Sequence, residues 1–125
     1  MTGGEVSFDS VRHIGLTLPG VVESTAFGMP ALKIRGKLMA TLASHRSAEP
    51  NSLVVRVSFE DRAELLSADP AVYYVTEHYQ GFDGVLVRLS RVRPEHLKGL
   101  VGMAHKYVTR QAGLRASVKK PVKPR

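Results

Sequence analysis

Apolar positions recur at helical spacing through Phe8, Val11, Ile14, Gly15 and Leu18, and predict a first helix that Pro19-Gly20 stops. Ser7 is placed to cap it, with Ser10 three residues on. Beyond a loop the period changes from helical to two. Leu32 and Ile34 alternate with Lys33 and Arg35, the chain turns at Gly36-Lys37, and Leu38, Ala40 and Leu42 continue as a second strand. Ser44 to Ser52 is polar and reads as a longer hairpin loop, after which Leu53, Val55 and Val57 alternate with Val54 and Arg56. Ser58 is placed to cap a short helix through Leu66 with acids in its first turn, where the helix dipole favours them, and Asp69-Pro70 ends it. Val72 to Val75 is β-branched and aromatic, Glu77 to Gly84 is a glycine-bearing loop, and Val85 to Leu89 forms the next strand. Pro94 opens a last helix whose apolar side is Leu97, Leu100, Val101, Ala104 and Val108, with Gly113 marking its end.

The resulting order is α-β-β-β-α-β-β-α. It predicts an α+β domain over residues 1–111, with an antiparallel sheet whose helices cover one face. Residues 112–125 hold too few large apolar side chains to fold alone and are expected to be a disordered basic tail.

Charge sharpens that division. The formal net charge of +7 is carried almost wholly by residues 110–125, which hold six Lys/Arg and no acid; the other 109 residues hold twelve Lys/Arg against eleven Asp/Glu. Inference from basicity to a nucleic-acid partner is therefore mostly an inference about the tail. The chain has no cysteine, which excludes disulfides, thiolate nucleophiles and cysteine-based zinc sites and is in keeping with a cytoplasmic setting. No apolar run approaches the roughly 18–20 residues that span a bilayer, so no membrane partner is expected.

A resemblance adds to this. Leu18-Pro19-Gly20, Glu23-Ser24 and the run from Phe27-Gly28-Met29-Pro30 to Leu42 resemble the opening of the MmcQ/YjbR family of small bacterial proteins. The likeness continues in Ala68-Asp69-Pro70, in Thr76 to Phe82, in Val85 to Leu89 and in Pro94-Glu95-His96-Leu97. It implies a fold similar to small secretion chaperones and a label of putative DNA-binding protein, on the idea that paired hairpins act as wings. The chain departs from the family pattern at Asp83-Gly84, where an aromatic is common, and near His105-Lys106-Tyr107, where a tryptophan is common.

Strand alternation gives a separate clue. If Leu32, Ile34, Leu53, Val55, Val57, Val85, Val87 and Leu89 face the helices, then Lys33, Arg35, Arg56 and Arg88 face away, with Lys37, Arg91 and Arg93 at nearby ends. No acid occurs between Ser24 and Ala48 or between Gly84 and Pro94. The leading expectation is a non-catalytic protein making weak, salt-sensitive, sequence-neutral contacts to DNA phosphates through this face and through Lys119, Lys120, Lys123 and Arg125. The alternative is an interaction module in which the face, with Val54 and Leu86 upon it, takes up a protein partner or a second copy, or a small-ligand binder using His78, Tyr79 and Tyr74. Tyr73, Tyr74, Tyr79 and Phe82 have the composition to floor a pocket. The five histidines form no metal-ligand spacing, and there is no nucleophile elbow or glycine-rich phosphate loop. Neither catalytic residues nor a cofactor are expected.

Overall fold

The computed structural model describes residues 6–122, with side chains described as far as Gly113. The elements are α1 (Phe8–Gly15), β1 (Val21–Ala26), β2 (Met29–Ile34), β3 (Lys37–Leu42), β4 (Ser52–Arg56), α2 (Phe59–Ala68), β5 (Tyr73–Tyr74), a 3-10 turn (Glu77–Tyr79), β6 (Gly84–Arg88) and α3 (Pro94–Val122). Six strands form one antiparallel sheet in the order β1-β2-β3-β4-β6-β5.

Two boundaries differ from the sequence expectation. The stretch read as a loop before the first hairpin is β1, an edge strand paired along its length with β2. It escapes the period-two test because Val21 is its one buried residue, so no alternation is written into it. The helix α3 continues through Gly113, which leaves Lys119 and Lys120 on its last turns and Lys123 and Arg125 outside the described residues.

Both leading hairpins are closed by two-residue turns, Phe27-Gly28 and Arg35-Gly36, in which all four residues have positive φ. That is the type I′ geometry whose twist matches the strands it joins. Lys37 is therefore the first residue of β3 and not part of the turn.

All eight residues expected to face the helices do so. Leu32, Ile34, Leu53, Val55, Val57, Val85, Val87 and Leu89 form one buried cluster with Val11 of α1 and Leu97, Leu100, Val101, Ala104 and Val108 of α3, while Leu65 and Leu66 of α2 pack against it. A bulge between Leu32 and Lys33 lets two β3 residues, Met39 and Ala40, both reach this core. Gly15 lets α1 rest close on β2: a Cβ there would stand 2.5 Å from the end of the Leu32 side chain, which would have to shift.

Candidate functional site

The face of the sheet away from the helices is not an open plate. Ala31, Thr41, Ser52, Val54 and Leu86 lie on it, and all five are buried. Two connections fold back over this face: residues 43–51 between β3 and β4, and residues 75–83 between β5 and β6.

Each connection is tied down by an arginine. Arg62 of α2 donates from Nη1 to the carbonyls of Phe82 at 2.9 Å and Gly84 at 3.3 Å, and from Nη2 to Gln80 at 3.0 Å. Loop carbonyls that no strand satisfies thus find donors on a helix. Gly84 fits tightly beside them: a Cβ there would stand 2.7 Å from the Phe82 ring and 3.0 Å from the Val55 carbonyl, so one of them would have to shift. Arg88 holds the other connection. It grips the Glu49 carboxylate with two bonds of 2.8 and 2.7 Å, donates to the carbonyls of Pro70 and Ala71, and stacks over the Tyr74 ring at 4.3 Å. The Tyr74 hydroxyl accepts from the Glu49 amide at 2.7 Å and bonds Ser52 Oγ at 2.6 Å. The guanidinium of Arg88 holds the Glu49 carboxyl below the usual carboxylate range.

The two connections also meet each other. Ser47 Oγ bonds Thr76 Oγ1 at 2.8 Å, and the imidazoles of His45 and His78 stack at 3.5 Å with their planes 5° apart. Tyr79 stands edge-on to both rings. His45 Nδ1 accepts the Ser47 backbone N–H at 3.0 Å, so its lone pair is used there and a proton on the ring belongs on Nε2. Burial, then His78, then Arg46 lower the pKa of His45, which favours the neutral ring.

Beneath this bridge is a cleft of about 250 Å³. Its floor is Thr41 and Val54, one wall is Leu38 and Phe27, and the other is His78, Tyr79 and Phe82; Leu42, whose side chain packs on the helix side, borders it. The lining is mainly apolar, with imidazole and hydroxyl groups at the rim. Among the described residues no three His, Asp or Glu side chains converge on a point that could hold a metal ion.

The expected cations divide into two groups. Arg56 is half-buried between the rings of Phe82 and Tyr107, donates to the Asp83 carbonyl and forms a 2.7 Å ion pair with the Asp83 carboxylate. Burial works against ionisation of Asp83, but hydrogen bonds from Tyr107 at 2.6 Å and from Arg56 outweigh it and hold the carboxyl low. Asp83 and Tyr107 lie at the two places where the chain departs from the family pattern, and here they bond one another. Arg88 is likewise engaged, with Glu49, and Arg93 lies 3.7 Å from Glu95. Lys33, Arg35 and Lys37 make no ion pair among the described residues and share the β2–β3 hairpin. Arg35 lines a hollow with His105, Thr109 and Gly113 of α3, which puts this hairpin beside the start of the basic run. Arg91 is exposed at the far end of β6, and the side chains of Lys119 and Lys120 are not described.

Of the residues expected to bind a ligand, His78 and Tyr79 line the cleft, whereas Tyr74 lies under Arg88 and serves the loop. His45, Phe27, Leu38 and Arg62 carried no signal in the sequence. His45 belongs to a polar loop, and its partner is thirty-three residues away.

An antiparallel sheet with helices on one face and an apolar cleft roofed by two loops on the other describes a small α+β domain. The chain belongs to the YjbR family, whose model it matches over residues 16–107. It is similar in structure to the crystal structure of Deinococcus radiodurans protein DR2400, a DUF419 domain, with a TM-score of 0.64 and 22% identity over 80% of this chain and 76% of that one. At that identity the likeness concerns the fold. No curated protein matches the sequence.

Proposed function

We propose that this protein is a non-catalytic binding module whose cleft accepts a small apolar group of one or two rings. The observation that carries this is the cleft itself: about 250 Å³, apolar on floor and walls, and held in shape by Arg62, Arg88 and the His45–His78 stack before any ligand arrives. For scale, an apolar cavity of about 150 Å³ takes up benzene. A pre-formed site of this kind avoids the ordering cost that a mobile loop incurs on binding. The chain contains no tryptophan, so the emission of added indole reports binding directly. Indole emission is expected to shift to the blue on titration, with a Kd of about 1 mM, as suits a ligand of so few atoms. Val54→Phe places a ring on the cleft floor and is expected to abolish the shift while the far-ultraviolet circular dichroism stays unchanged. Retention of the shift in that variant would place indole elsewhere.

A second reading, contact with DNA phosphates, rests on Lys33, Arg35 and Lys37. These cations lack acidic partners among the described residues, and their hairpin meets α3 at Thr109, Ala112 and Gly113, where the basic run starts. Arg56 and Arg88 lend it less support, since each already satisfies a carboxylate. Replacing all three hairpin cations with glutamine is expected to reduce the slope of log affinity against log salt by about 2 to 3, read by anisotropy of a labelled duplex. An unchanged slope in that variant, with its loss on removal of residues 114–125, would assign the binding to the tail alone. That truncation point keeps the buried Val108 and Ala112.

A further inference from the structure

A strand at the margin of a sheet exposes a row of backbone donors and acceptors, and proteins ordinarily blunt such margins with lysine, proline, a bulge or extreme shortness. The β5 margin follows that rule: it is two residues long, and Arg88 reaches past it to the Pro70 and Ala71 carbonyls. The β1 margin does so only through a single charge. It is six residues, Val-Val-Glu-Ser-Thr-Ala, with no lysine or proline and with an unbroken register against β2. Its one charge, Glu23, is turned to the helix side and bonded to Arg12 at 3.2 Å.

The chemistry of this margin can be read residue by residue. A two-residue type I′ turn makes Ala26 and Met29 a hydrogen-bonded pair, and alternation then assigns Ser24 and Val22 to β2 as well. The backbone N–H and C=O of Glu23 and Thr25 therefore point away from the sheet. The Val21 N–H, which would point the same way, is taken by the Leu18 carbonyl. Two exposed apolar residues flank this short row: Val22, 54% exposed, and Phe27, 86% exposed.

We infer that β1 is a pairing edge for a second copy of this chain, joined antiparallel about a two-fold axis at Ser24. In that register Glu23 and Thr25 of one copy exchange N–H···O bonds with Thr25 and Glu23 of the other, so all four outward backbone pairs are satisfied. Glu23 meets Thr25, not another Glu23, whereas a shift of one residue toward the strand start would set the two carboxylates face to face. Val22 of each copy comes opposite Ala26 of the other, beside Phe27. The row is self-complementary, and no residue in it favours an unrelated extended peptide over its own copy.

The axis supplies a direct test. Ser24 would face its own copy in a non-hydrogen-bonded pair, where Cα atoms are about 4.5 Å apart and a disulfide closes without strain. Because the native chain has no cysteine, Ser24→Cys introduces the sole thiol. Under mild oxidant at about 100 μM, Ser24→Cys is expected to convert to a covalent dimer at least tenfold faster than Glu23→Cys, whose thiol would face Thr25. Sedimentation velocity of the native full chain is expected to show a dimer, and Val22→Lys, an exposed position outside the backbone pairing, is expected to be monomeric at the same concentration. Equal crosslinking of the two cysteine variants, or a native chain monomeric up to about 1 mM, would overturn the inference. A dimer that persists in folded Val22→Lys would do so too.

Discussion

Phe27 stands at φ +53°, a left-handed conformation that Asn and Gly adopt readily and a bulky aromatic does not. The strain is of order 1 kcal/mol. An aromatic ring 86% exposed recovers little of that by burial, which directs attention to its place on the cleft wall. Phe27→Asn converts the turn to Asn-Gly, the favoured type I′ pair. It is expected to raise the thermal midpoint by about 4 °C, followed by circular dichroism, while weakening indole binding several-fold. A variant that is more stable and binds indole as before would remove Phe27 from the site. The arginines carry the complementary lesson. In the sequence Arg56 and Arg88 are indistinguishable from Lys33 and Arg35, all being outward cations on strands. What separates them is the acid each meets, Asp83 twenty-seven residues from Arg56 and Glu49 thirty-nine from Arg88, and such distances leave no local pattern.

Elements were legible in proportion to how much of their burial is periodic. Strands β2, β4 and β6 and the start of α3 alternate or repeat apolar residues against one core, and every residue of the expected inward set lies in the observed cluster; in β3 the bulge breaks the alternation, turning Leu38 to the cleft and bringing Met39 into the core. Strand β1 was not legible because an edge with one buried residue has nothing to alternate. The cover over the second face was not legible either, since it is made by connections and not by elements. Only Val54 and Leu86, apolar where polar residues were expected, pointed to it. The joint between the two connections makes a prediction of its own. The folded state lowers the pKa of His45, chiefly by burial and then by His78 and Arg46, so the unfolded chain binds that proton more readily. Stability from this group is therefore complete above the ordinary histidine pKa of about 6.5 and declines as pH falls through it. The urea midpoint is expected to drop between pH 7.5 and pH 5.5, and to drop less in His45→Gln, whose amide oxygen still accepts the Ser47 N–H. Equal declines in both proteins would show that the stacked pair is not the acid-sensitive joint. Asp83 and Glu49, whose carboxyls are held low, lose their contributions only at more acid pH.

On the scale of the whole molecule, the fold assigns each face of one sheet a separate task. The helix face supplies the core that α1, α2 and α3 share, and the other face supplies a rigid floor of Thr41 and Val54. Salt bridges at this level contribute by position more than by energy: solvent screens exposed pairs such as Arg12 with Asp9, while Arg88 and Arg62 fix where two loops lie. Family membership establishes the architecture, and the cleft is what this architecture holds ready in this chain. Amide-resolved NMR with added indole tests that claim most directly. The account predicts saturable shifts confined to residues 41–44, Val54 and residues 78–82, on both strands and roof at once. Shifts scattered over the surface, or confined to the β2–β3 hairpin, would contradict it.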